Sequence, residues 1–147
     1  MREILFRGKR IDNGNWIEGM LFYYYDSFYE EYRLRIQNPK TKVSFEIDPK
    51  TICQYTGLVD RHNKKIFDGD IVRETITSYY QPVGKIYYDA ENCQWRIEYV
   101  NNIVSVGHIG NGRIYELLGN IYDTPMLLEN AECNDINQIS EDVENGL

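Results

Sequence analysis

The sequence predicts a mainly β fold of antiparallel strands with little helix, and three observations carry that expectation. Apolar and polar residues alternate with a period of two through most of the chain, which sends successive side chains to opposite faces of a sheet. Turn-forming Asn, Asp, Gly and Pro recur at short intervals between the alternating runs and leave little room for crossover helices. An antiparallel barrel or sandwich is therefore expected rather than a parallel α/β sheet. Aromatic residues make up 14% of the chain, with 13 tyrosines, a composition that suits strands.

The first element is a hairpin in which Lys9-Arg10-Ile11 meets Trp16-Ile17-Glu18 across Asp12-Asn13-Gly14-Asn15, Asn-Gly being a tight-turn dipeptide. A strand over residues 20–25 follows and sends alternate members of Tyr23, Tyr24 and Tyr25 inward. Tyr32, Leu34 and Ile36 then alternate with Arg33, Arg35 and Gln37. After Asn38-Pro39-Lys40-Thr41, Val43, Phe45 and Ile47 alternate with Ser44 and Glu46, which predicts a second hairpin. Residues 71–77 read as a middle strand. A third hairpin joins Val83–Tyr88 to Gln94–Val100, where Trp95, Ile97 and Tyr99 share one face and Gln94, Arg96 and Glu98 the other. Gly107-His108-Ile109-Gly110-Asn111-Gly112 lacks the lysine of a phosphate loop and the dinucleotide spacing, and reads as a flexible hairpin loop. Helical signal is confined to Pro125-Met126-Leu127-Leu128-Glu129.

A chain of 147 residues suits one domain, placed at residues 1–128, and folding at this length buries roughly 70% of the surface that the unfolded chain exposes. Residues 129–147 hold six acids, Glu129, Glu132, Asp135, Glu141, Asp142 and Glu144, and no base, so they read as an acidic, solvated tail. The net charge of -7 lies mostly there; upstream, 17 acids face 16 bases, a balance of -1 with no net attraction for nucleic acid. No apolar run resembles a signal peptide or approaches the ~20 residues of a membrane span, which predicts a cytoplasmic protein without membrane contact. Cys53, Cys93 and Cys133, odd in number and far apart, match neither a disulfide framework nor a zinc pair and read as structural thiols.

No constellation predicts a catalytic site, a metal or a cofactor. Asp60, Asp68 and Asp70 could supply oxygen ligands, but their spacing is not that of a calcium loop and Gly69 between the last two fits a turn. His62 and His108 lie outside the local spacings of zinc and nucleophile motifs.

Three segments resemble the YopX family of bacteriophage and prophage proteins. They are Phe6-Arg7-Gly8-Lys9-Arg10 with Gly14 and Trp16, then Gln54 to Val72, and Leu118-Gly119-Asn120-Ile121-Tyr122-Asp123-Thr124-Pro125. The middle one is the most specific: Gln54-Tyr55-Thr56-Gly57-Leu58, Asp60, Lys65-Ile66-Phe67 and Asp68-Gly69-Asp70-Ile71-Val72. The matches keep the family's order across most of residues 4–128. The chain departs at Asn63-Lys64, where a glycine commonly follows the asparagine, and the acidic tail lies outside the pattern. The resemblance implies a β-rich fold containing a small SH3-like barrel with additional hairpins, and a phage or prophage origin in a bacterial host. It implies no catalytic or binding residues, so Gln54, Tyr55, Thr56, Gly57, Asp60, Gly69 and Asp70 are expected to act structurally, the aspartates as acceptors for backbone N–H groups.

The leading expectation is a non-enzymatic binding or adaptor module for a protein partner, self-association being one form. Tyr23, Tyr24, Tyr25, Tyr29, Tyr79 and Tyr80 are its candidate contacts, because tyrosine offers large area, few rotatable bonds and a hydroxyl. The alternative is an accessory protein of phage DNA or RNA metabolism that holds single strands through Arg7, Lys9 and Arg10 with the nearby tyrosines. An enzyme stands third.

Overall fold

Among the described residues, alternation becomes antiparallel sheet. The computed structural model describes residues 1–100, 106–110 and 112–130, so the acidic tail beyond Asn130, with Cys133, lies outside the described residues. The strands are β1 (Phe6–Lys9), β2 (Trp16–Asp26), β3 (Glu31–Gln37), β4 (Ser44–Glu46), β5 (Cys53–Val59), β6 (Lys65–Phe67), β7 (Asp70–Thr75), β8 (Val83–Asp89), β9 (Gln94–Tyr99), β10 (Val106–His108) and β11 (Ile114–Asn120). Residues 126–130 are helical, at the place where the sequence gives its one helical signal.

The chain divides into two compact units, Met1–Gly57 and a second from Leu58 onward. One sheet has the order β4-β3-β2-β1-β5-β6 and the other β10-β9-β8-β7-β11. Each has two ends among the described residues, so the expected barrel is not closed. The reason lies at the edges: β10 is three residues long and pairs with β9, while β11 pairs with β7, and no pairing joins β10 to β11.

In the first unit, β1 and β2 form the expected hairpin from Lys9↔Trp16 to Phe6↔Gly19, and the Arg10 N–H donates to the Asn15 carbonyl at 2.9 Å to close its turn. Ile36 and Ile47 are fully buried. Between β4 and β5 a short 3-10 turn, Pro49–Thr51, starts at Asp48, whose carboxylate accepts the Lys50 N–H.

In the second unit the core joins Ile66, Val72, Ile86, Ile97, Tyr99 and Tyr115, with Leu58, Trp95, Ile109 and Leu117 packed against them. The predicted hairpin of β8 and β9 holds in register from Gly84↔Tyr99 to Asp89↔Gln94. The flexible loop expected around Gly107 is corrected: Val106–His108 pairs with β9. A Cβ on Gly107 would lie 2.9 Å from the Tyr99 ring, so this strand approaches its neighbour at a distance only glycine allows.

Candidate functional site

The outer part of the β2–β3 hairpin is a free two-stranded ribbon. β1 pairs with β2 only as far as Gly19, and β4 pairs with β3 only at Arg35, Ile36 and Gln37. Among the described residues, the rows Tyr24↔Arg33, Tyr25↔Tyr32 and Asp26↔Glu31 therefore have no third strand beside them, and the row Tyr23↔Leu34 is met only by Ile47 on the β4 side. At the tip, the Asp26 carboxylate accepts the N–H groups of Phe28 (3.0 Å) and Tyr29 (3.4 Å), which shapes the turn.

The ribbon's two faces differ in chemistry. On one, Arg33 lies over the Tyr29 ring at 4.2 Å and pairs with Glu31 and Glu46 at 2.9 Å each, while Arg35 lies over Tyr24 at 5.2 Å. The other continues the face that carries buried Ile36, but beyond the core it bears Tyr23 (70% exposed), Tyr25 (54%) and Tyr32 (72%). Tyr25 and Tyr32 meet edge to face at 5.2 Å, and at the tip Phe28 (81% exposed) and Tyr29 (59%) do so at 4.7 Å. These exposed aromatic residues form clusters rather than single scattered apolar positions.

The structure thus puts Tyr23 and Tyr25 of the expected contacts on one face with Tyr32, places Tyr29 at the tip with Phe28 and against Arg33, and half-buries Tyr24 beneath Arg35. Tyr79 and Tyr80 are exposed on the loop after β7, in the second unit, where their N–H groups donate to the Thr77 hydroxyl. Of the bases considered for nucleic acid, Arg7 is buried with its guanidinium 4.7 Å from the Trp16 ring, and Lys9 approaches the same ring at 5.4 Å. Arg10 lies 3.5 Å over Phe45 and is paired with Asp12 at 2.5 Å.

The middle family segment lies within strands and turns of the fold. Gln54 pairs with Phe6 in the sheet, Tyr55 and Thr56 are buried, and the Tyr55 N–H donates to the Leu5 carbonyl at 2.8 Å. Gly57, at a φ of 90°, interrupts the alternation of β5. Asp60 accepts the N–H groups of His62 (2.8 Å), Lys64 (2.9 Å) and Leu117 (3.1 Å), so one carboxylate ties the turn after β5 to β11. Burial pushes its pKa up, but these N–H groups outweigh burial and hold it below the ordinary carboxylate value. Asn63 itself takes the positive φ (62°) of that turn, which needs no following glycine. Gly69 turns the chain between β6 and β7, and Asp70, 1% exposed, accepts the Phe67 N–H at 2.8 Å.

Sequence reasoning missed a buried polar cluster in the second unit. Glu74, 2% exposed, accepts hydrogen bonds from the Tyr99 hydroxyl and from Arg113 Nη1 at 2.7 Å, with Tyr115 buried nearby. Burial and then Glu74 raise the Tyr99 pKa, and the same causes push Tyr115 up to about 12. The signal was present: Glu74 shares the inward side of β7 with Val72 and Asp70. Beside the cluster lies an open cleft of about 450 Å³ lined by Val59, Asp60, Arg61, Thr75, Arg113, Ile114 and Tyr115. The Asp60 carboxylate there is already engaged by backbone, and Arg113 by Glu74.

The fold has solved counterparts. The crystal structure of protein EF1440 from Enterococcus faecalis aligns with a TM-score of 0.51 at 21% identity, covering 87% of this chain and 99% of that one, a likeness of fold. No curated protein matches the chain. Among the described residues no helix is long and apolar enough to cross a membrane. Residues 5–129 match the family described as YopX protein, which takes in both sheets and the whole of the family segments, and the chain belongs to the YopX family.

Proposed function

We propose that this protein is a non-enzymatic binding module, of phage or prophage origin and acting in the bacterial cytoplasm, whose β2–β3 ribbon docks a protein partner through its aromatic face. The observation that carries this reading is the exposure of Tyr23, Tyr25 and Tyr32 on the continuation of a core face, with Phe28 and Tyr29 at the tip. An isolated two-stranded hairpin is at best marginally stable in water, so this ribbon gains order when another surface covers it. Tyrosines also lose little conformational entropy when they dock, which suits them to anchor a partner. The second unit supports the finer reading of an SH3-like scaffold, since β7 to β10 form a meander and β11 returns beside β7.

The test is purification of the tagged chain from host cells, with and without nuclease treatment, beside a tag-only control and the variant Tyr23→Ser/Tyr25→Ser/Tyr32→Ser. The expected result is a stoichiometric protein that survives nuclease and is missing from the serine variant. Recovery that vanishes with nuclease, and that weakens steeply between about 50 and 200 mM salt, replaces this reading with direct nucleic-acid binding. Equal recovery by the serine variant removes the aromatic face as the docking surface.

A further inference from the structure

The open edge of β2 has the features of a self-pairing strand. The Leu34 carbonyl accepts the Ile47 N–H (3.0 Å) on the β4 side, so Leu34 turns its backbone groups away from β2. In an antiparallel pair the residue opposite does the same, which points the N–H and C=O of Tyr23 away from β3. By the period of two, those of Tyr25 follow. Among the described residues, both thus present backbone donors and acceptors without a strand partner on the edge that β1 leaves uncovered beyond Gly19.

Native sheets protect such edges with charges, especially lysine, with proline, or with bulges. The other edge of the ribbon, β3, carries Glu31 and Arg33. Leu21-Phe22-Tyr23-Tyr24-Tyr25 on β2 carries neither charge nor proline, and its strand continues to Asp26 without a register shift against β3. That is the composition of a strand suited to pair with another chain.

We propose that a second copy of this chain completes this edge, β2 pairing antiparallel with the partner copy's β2 about a twofold axis at Tyr24. This inference rests on the binding-module reading in taking the same ribbon as the contact element, and it uses the strand edge of that ribbon rather than its aromatic face. In this register Tyr23 of each copy exchanges backbone hydrogen bonds with the partner's Tyr25. Phe22 faces the partner's Asp26, so no like charges oppose. The pairing makes one four-stranded ribbon, β3-β2-β2-β3, with the tyrosines of both copies side by side on one face. A closed twofold pair is also the commonest way for a chain to associate with itself.

The experiment is sedimentation velocity across the micromolar range on the full chain and on Phe22→Asp and Phe22→Lys, with amide exchange measured on the wild type. Within the ribbon, position 22 lies opposite Arg35, so Phe22→Asp keeps a favourable neighbour in its own chain. Across the axis it faces the partner's Asp26, whereas Phe22→Lys meets that carboxylate favourably. A dimer is expected, weakened roughly ten-fold by Phe22→Asp and not by Phe22→Lys. The Tyr23 and Tyr25 amides are expected to exchange at least about ten-fold more slowly at high than at low concentration. A monomer at every concentration, equal dimerisation by the two variants, or amides that exchange alike at both concentrations overturns the proposal. A monomer whose serine variant still loses a foreign partner overturns self-pairing alone and leaves the binding-module reading standing.

Discussion

Two hairpins of this chain are built on the same pattern and meet opposite fates. The β8–β9 pair alternates inward Ile86, Ile97 and Tyr99 with outward polar residues, is flanked by β7 and β10, and supplies the second unit's core. The β2–β3 pair alternates equally well, yet its outer rows carry Tyr23, Tyr25 and Tyr32 into solvent. The difference is not in the hairpins but in their neighbours. β1 and β4 end before the ribbon does, so the face that buries Ile36 in one half is exposed in the other. A strand pattern therefore specifies a face, while the length of adjacent strands decides whether the face becomes core or contact surface.

The largest expected effect lies in the buried hairpin. Ile97→Ala empties a fully buried site in the second unit's core and is expected to lower stability by about 2–5 kcal/mol in urea unfolding. A loss below about 1 kcal/mol would mean that this face is no more a core than the ribbon's.

Next in size are the carboxylates that hold backbone and buried hydroxyl groups. Glu74→Ala leaves the Tyr99 hydroxyl without its acceptor in a buried setting, at an expected cost of about 1–3 kcal/mol, with Glu74→Gln milder. Asp60→Ala abandons three backbone N–H groups, including that of Leu117 on β11, and should cost a similar amount, about 1–3 kcal/mol, by urea unfolding.

The polar cluster also gives a pH dependence. The folded pKa values of Tyr99 and Tyr115 lie above the ordinary value of 10.0, so the fold retains protons that the unfolded chain releases. Stability contributed by these groups is fully present below about pH 10 and is lost as pH rises through the folded value, about 12 for Tyr115. Unfolding midpoints measured from pH 8 upward should be flat and then fall, and Glu74→Gln should make the fall shallower by removing one source of both shifts.

Much of this architecture was legible, and the exceptions have physical causes. The turn at Asn13-Gly14, the short hairpin that joins Arg35–Gln37 to Ser44–Glu46 and the β8–β9 register follow from local alternation and turn residues, whereas Tyr32 and Arg33, in the outer half, pair with β2 and not with Val43–Ile47. β5 was hidden because Gly57 breaks its alternation and Tyr55 and Thr56 are buried in succession. β10 was hidden because Gly107 reads as a loop former until Tyr99 is seen against it. In the candidate site, the tyrosines themselves were legible but their exposure was not, since it depends on where β1 and β4 stop. Tyr79 and Tyr80 carried the same composition signal and sit in another unit.

The central claim is that the ribbon's aromatic face is held for another surface and adds little to the chain's own stability. Urea unfolding of Tyr23→Ser/Tyr25→Ser/Tyr32→Ser, at a protein concentration low enough to keep copies apart, tests it directly. The account predicts a change within about 1 kcal/mol of the unsubstituted chain. A loss of about 3 kcal/mol or more, matching a buried aromatic residue removed from a core, would contradict it.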